Sequence, residues 1–135
     1  MKAVLTIVIL LLTATPAFAN GDLELTDKTT VKVIKVEKET LIASHNGNEI
    51  RVRLLGLQCA GKATRLSTKL VKGKNVTLRS DKSFLPILMD NHNRYVAYVE
   101  LENGSDLGTK LVKSGACDGG SWKTAHPKKQ LYASR

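Results

Sequence analysis

Asn46-Gly47 stands between two runs of alternating apolar residues, and no other feature of this chain limits its fold so tightly. Asn-Gly is the strongest short signal for a two-residue hairpin, because both central residues of a type I′ turn need positive φ. Before it lies Thr40-Leu41-Ile42-Ala43; after it Ile50, Val52 and Leu54 recur at every second residue. A period of two sends one face to a core and the other to water. Upstream, Thr29 to Glu37 carries Val31, Val33, Ile34 and Val36 with lysines on the opposite face, and the slip in phase at Ile34 predicts a bulge. Glu37-Lys38-Glu39 breaks that strand from the next, so three antiparallel strands follow in meander order.

The period then changes. From Ala63 to Lys72, Ala63, Leu66, Leu70 and Val71 share one face at helical spacing with Lys and Arg opposite, and Gly73 ends the run. Val76 and Leu78 mark a fourth strand and Arg94 to Glu102 a fifth. Residues 80–93 read as a loop, yet Phe84-Leu85-Pro86-Ile87-Leu88-Met89 is too apolar for a solvated one. It either packs on the body or forms an exposed contact patch through Phe84, Leu85, Ile87 and Leu88. Ser105-Asp106 offers an N-cap for a second helix with Leu107, Leu111 and Val112 inward and Gly115 at its end. The tail keeps Trp122, Leu131 and Tyr132 as apolar anchors, with a last turn of helix from Pro127. The fold class is α+β, mainly β. Five strands with two to three helices, one of them between strands three and four, give the order of an OB-fold barrel.

Lys2, the apolar run Ala3 to Leu12 and Ala17-x-Ala19 have the form of a signal peptide over residues 1–19, cleaved after Ala19. The run is shorter than the roughly 20 residues of a spanning helix, and no later segment is apolar enough to cross a membrane. Residues 20–135 then form a single domain, expected in the periplasm or the medium and as a monomer. The 21 Lys and Arg outnumber the 12 Asp and Glu, and only Lys2 precedes Ala19, so the mature chain keeps a net charge of +8. Such an excess suits a polyanionic partner. In an oxidising compartment Cys59 and Cys117 have one intramolecular pairing open to them, two buried thiols being the other reading. His45, His92 and His126 lack ligand-like spacing and read as exposed, which argues against zinc. Arg53 ends an alternating strand ahead of a buried run and a small-residue loop, a corner from which a sheet edge presents a cation to an anion.

Four stretches, in order from residue 29 to 117, resemble the staphylococcal nuclease (thermonuclease) family. Val36-Glu37-Lys38-Glu39-Thr40-Leu41 resembles its V-D-G-D-T-L turn, and Arg53-Leu54-Leu55-Gly56-Leu57-Gln58-Cys59-Ala60-Gly61 its R-L-x-G-I-D-x-P-E stretch. Asp90 to Val99 is similar to D-x-Y-G-R-x-L-A-Y-V, and Gly104 to Ala116 to the helix that follows. The resemblance implies an OB-fold barrel with a phosphate-facing corner. It also implies calcium-dependent hydrolysis of nucleic-acid phosphodiesters, with carboxylates on the cation, two arginines on the phosphoryl oxygens and a glutamate for the attacking water.

Carried over by position, the arginines are Arg53 and Arg94, both retained. The metal side departs from the pattern: Glu39 keeps one carboxylate on a longer side chain, while Gln58 replaces an aspartate and brings no charge. Gly61 replaces the catalytic glutamate and can neither accept a proton nor orient water. Glu37 and His92 are the remaining candidate bases, and nothing in their spacing favours them. In the implied barrel the loop after strand three approaches the end of the second helix, so a Cys59–Cys117 disulfide is expected to anchor a corner whose long loop is largely deleted. Tyr95 and Tyr98 have the chemistry to stack on bases, although alternating tyrosines in a strand usually pack.

Three functions remain open. The first is a non-catalytic module binding nucleic acid or another polyanion through Arg53 and Arg94. The second is a calcium-dependent nuclease with a rearranged site at Glu39 and Gln58, calcium being the one cofactor expected if it is active. The third is an envelope protein-interaction domain using the Phe84 to Met89 patch.

Overall fold

The computed structural model describes residues 23–119 and 126–133, so the signal-peptide reading of 1–19 and the anchor Trp122 lie outside the described residues. In chain order the elements are β1 (Thr29–Glu37), β2 (Thr40–His45), β3 (Asn48–Leu54), β4 (Gln58–Cys59), α1 (Lys62–Val71), β5 (Asn75–Arg79), β6 (Leu88–Met89), β7 (Tyr95–Glu100), α2 (Leu107–Lys113), β8 (Cys117–Asp118) and α3 (Lys129–Ala133).

Alternation builds the strands. β1 buries Val31, Val33 and Val36, and its phase slip is a register shift against β2 between Val33 and Lys35 that leaves Ile34 outside. β2 turns into β3 through Asn46 and Gly47, at φ 51° and 84°. β5 pairs with β1 on one side and β7 on the other. β7 also pairs parallel with β3, Val52 opposite Tyr95 and Leu54 opposite Ala97. That pairing closes β3-β2-β1-β5-β7 into a five-stranded barrel, the OB-fold expected from the order of elements, with three helices. The core inside it is mainly valine and leucine, as the scarcity of aromatics requires.

The helices seal the barrel. α1 turns Ala63, Ser67 and Val71 inward. α2 begins at Asp106, whose Oδ2 accepts the Thr109 N–H at 2.9 Å, the cap anticipated from Ser105-Asp106. The Asp106 carboxylate also accepts the Tyr132 hydroxyl at 2.7 Å, which holds α3 against α2. His126, read from sequence as exposed, is half-buried: its ring lies 2.7 Å from the Tyr98 hydroxyl, and a Cβ on Gly56 would collide with it. Burial lowers its pKa, and Lys129 adds to the effect against Asp81.

The loop of residues 80–93 does both of the things open to it. Ile87 is buried and bridges Leu25, so it does not belong to the contact patch expected of it. Phe84 is 80% exposed, Leu88 62% and Leu85 38%. The two-residue strands β4, β6 and β8 carry too few residues to show a period, and the sequence does not reveal them.

β4 and β8 form a small antiparallel ribbon in which Cys59 faces Cys117, and the two are joined as a disulfide across 58 positions. The link ties the segment after β3 to the end of α2. Replacing both cysteines by serine should lower the unfolding free energy by about 4 kcal/mol on the chain-entropy account of a loop this long. The barrel's far-ultraviolet dichroism should be unchanged. Urea melts of the oxidised protein and the double variant measure the difference, and coincident midpoints would show that the bridge anchors nothing.

Candidate functional site

Three pieces of chain meet at one end of the barrel: the turn between β1 and β2, the end of β3 and the loop entering β7. Register brings them together. Thr40 lies opposite Arg53 across β2 and β3, and Arg53 lies opposite Val96 across β3 and β7. Arg94, two residues before Val96, therefore rises beside Arg53.

Asp90 fixes Arg94. Its Oδ2 accepts the Arg94 Nε–H at 2.9 Å, while its Oδ1 accepts the backbone N–H of Arg94 at 3.0 Å and of His92 at 2.8 Å. Arg94 Nη1 donates to Thr40 Oγ1 at 3.2 Å. Nε and Nη1 of the guanidinium are thus held by the protein, and among the described residues none is hydrogen-bonded to Nη2. Burial works against the charged Asp90 carboxylate, but the N–H groups of Arg94 and His92 and the guanidinium outweigh it, and its pKa falls below the usual range.

Arg53 is half-buried and donates from Nη1 to the Leu54 carbonyl at 3.0 Å. Burial is the largest influence lowering its pKa; Glu39 opposes it, Arg94 lowers it further and Asp90 opposes again. The two guanidinium groups stand close enough to repel, with Glu39 and Asp90 as counter-charges. An arginine stays protonated in such a setting. An arrangement of this kind gains from a bound oxyanion, which an arginine fork matches with two parallel hydrogen bonds.

The other positions picked out by the motifs do not converge in the same way. Glu39 Oε1 accepts the Cys59 N–H at 3.0 Å, so this carboxylate ties the turn to β4. Gln58 is exposed and lies opposite Asp118 in the ribbon. Gly61 is exposed at the N-cap of α1, with open space where a Cβ would stand. Among the described residues no group of three His, Cys, Asp or Glu side chains could hold a metal. Calcium takes six to eight oxygens and relies on carboxylate charge. One carboxylate already engaged and one neutral amide do not fit it. Glu37 is paired with Lys35 at 3.2 Å, and His92 is on an exposed loop. Tyr95 and Tyr98 are each only 4% exposed, Tyr95 donating to the Leu23 carbonyl, so neither ring is a platform for a base.

Sequence reasoning passed over Asp90 and Thr40, the two side chains that orient Arg94. The signal was present in the spacing, since Asp90 precedes Arg94 by four residues as Thr40 follows Glu39 in the turn motif. It also passed over Lys38, which adopts φ 54° at the position where the resembled turn has glycine. The strain is held in place by the Lys38 N–H donating to Thr64 Oγ1 at 2.9 Å.

Left-handed backbone costs a side-chain-bearing residue about 1–2 kcal/mol, partly offset by the unfolded-state freedom that glycine adds. Lys38→Gly should therefore raise stability by about 0.5–1 kcal/mol in a urea melt. A carboxylate with a depressed pKa stabilises the fold above its unfolded value near 3.9, and that stability is lost as pH falls through the folded value. Stability should thus decline on acidification below about pH 4. Asp90→Asn should be less stable at neutral pH and show a shallower decline, read from melting temperatures across the acid range.

The sequence model of staphylococcal nuclease homologues matches residues 29–134, from the start of β1 into the tail, and so takes in the arginine corner, the ribbon and all three helices. No curated protein matches the chain. With a match over most of its length and the barrel and helices in place, this chain belongs to the staphylococcal nuclease homologue family.

Proposed function

We propose that this chain is an exported thermonuclease-like domain that grips the phosphate backbone of nucleic acid, or of another polyanion, through Arg53 and Arg94, and that its phosphodiester hydrolysis is lost or strongly impaired. One observation carries the reading: two guanidinium groups are brought to a single corner by β3 and β7, while the position that would hold a catalytic carboxylate is the bare Gly61. Phosphate binding needs only the cations and their fixed orientation. Hydrolysis needs in addition a base for water and a charged cradle for a metal, and Gly61 and Gln58 supply neither. The apolar run ahead of Ala19 and the disulfide favour a periplasmic or secreted setting.

Backbone recognition of this kind has little sequence preference and weakens steeply with salt. The test is incubation of the protein with labelled single-stranded DNA and RNA, with calcium or with chelator, reading retention and cleavage together. Retention without cleavage is expected, falling with salt. Arg53→Ala and Arg94→Ala should each reduce it by about tenfold or more, the size of a lost charge-assisted hydrogen bond. Calcium-dependent cleavage abolished by Arg53→Ala would overturn the proposal in favour of a rebuilt nuclease site. Neither retention nor cleavage would shift attention to a protein partner at Phe84, Leu85 and Leu88.

A further inference from the structure

Between Ile50 and Ser80 the chain has eight Lys and Arg and no Asp or Glu. Four of these cations, Lys62, Arg65, Lys69 and Lys72, recur at intervals of three and four residues along α1 and the position just after it. At 100° per residue they form one stripe less than a quarter of the helix wide. The stripe is opposite the buried Ala63, Ser67 and Val71. All four are exposed, and none forms an ion pair among the described residues. A lysine-rich helix face is ordinarily interleaved with acidic partners at i,i+4; α1 has no acidic residue at all. Lys62 and Arg65 also occupy the first turn, where the helix dipole disfavours cations. Like charges at these spacings repel one another, and a polyanion lying on the helix would relieve that repulsion.

The first turn of α1, which carries Lys62 and Arg65, is tied by hydrogen bond to the turn that flanks the arginine corner. The Lys38 N–H donates to Thr64 Oγ1 of α1, Glu39 beside it accepts from Cys59, and Thr40 next along accepts from Arg94. Lys38 in the turn and Thr40 at the start of β2 thus connect the first turn of α1 to Arg94. From Lys62 to Lys72 the stripe runs for about 15 Å, which spans about four phosphates at the rise of one duplex strand.

We infer that the outer face of α1 is a track for the phosphate backbone of a nucleic-acid strand, continuous with the Arg53 and Arg94 corner, so that the ligand is a polymer several nucleotides long rather than a mononucleotide. The inference rests on the corner binding phosphate, as proposed above. The corner fixes one phosphate by geometry, and the stripe holds its neighbours by charge.

Fluorescence anisotropy of the full chain with labelled oligothymidylates of about 20 and about 3 nucleotides, titrated across salt, separates the two parts. In the Lys62→Gln, Arg65→Gln, Lys69→Gln, Lys72→Gln variant, affinity for the long probe should fall about tenfold or more. The slope of log K against log salt should shrink by about 2 to 3, at about 0.7 per phosphate contact on a single strand. Binding of the short probe should stay as it is in the parent. The Lys62→Arg, Lys69→Arg, Lys72→Arg variant keeps the charge and should bind both probes like the parent, which sets charge apart from damage to the helix. If the glutamine variant keeps the parental slope while Arg53→Ala loses the short probe, the track is overturned and the corner stands. If Arg53→Ala and Arg94→Ala bind both probes like the parent, the corner reading falls and the continuity falls with it. Loss of binding to phosphatidylglycerol–phosphatidylcholine vesicles with no loss to oligonucleotide would overturn the proposal by assigning the face to lipid.

Discussion

Parallel pairing of β3 with β7 carries the rest of the molecule. Only Val52, Arg53 and Leu54 meet Tyr95, Val96 and Ala97, yet this contact removes the two free edges of a five-stranded sheet. Closure buries the alternating valines and leucines that an open sheet would leave wet on one face, and burial of that apolar area is the main favourable term in folding. The same three-residue ladder fixes where the side chains at its ends emerge. Arg53 lies within it and Arg94 at its threshold, so the energetics of closure and the placing of two cations come from one set of backbone hydrogen bonds.

Charge is distributed unevenly around that closure. Arg94 is oriented by Asp90 and Thr40, while Arg53 is half-buried beside it. Elsewhere three carboxylates serve architecture. Asp27 joins the Arg79 side chain to the Ser80 backbone, Asp106 caps α2 and receives Tyr132, and Glu39 ties the first turn to the ribbon. With these three carboxylates engaged in the protein's own bonds, the basic excess weighs more heavily on the exterior.

Much of this was legible because local chemistry and global fold agree. Asn46-Gly47, the slip at Ile34 and Asp106 each specify a local geometry that the barrel uses unchanged. The failures have physical causes. Strands of two residues have no period to detect, so β4, β6 and β8 were invisible. Ile87 and Phe84 belong to one apolar run and differ in burial because Leu25, more than sixty residues away, covers only the first. His126 is as polar in sequence as His92, and its burial is decided by Gly56, whose missing side chain makes room for the ring. At the site, the motifs located both arginines but not the clamp on Arg94, because a carboxylate four residues away could equally have faced water.

The segment from His126 to Tyr132 meets three glycines drawn from distant parts of the chain. His126 lies over Gly56, and Tyr132 lies against Gly108 and Gly119, at places where a Cβ would collide. The seat for this segment therefore does not exist until the end of β3, the start of α2 and the ribbon have all been assembled. The contacts that hold this segment are therefore all long-range, made to pieces of chain that other elements position. The segment from His126 to Tyr132 thus reports on the completeness of the whole, since its seat is made by three separate parts of the fold.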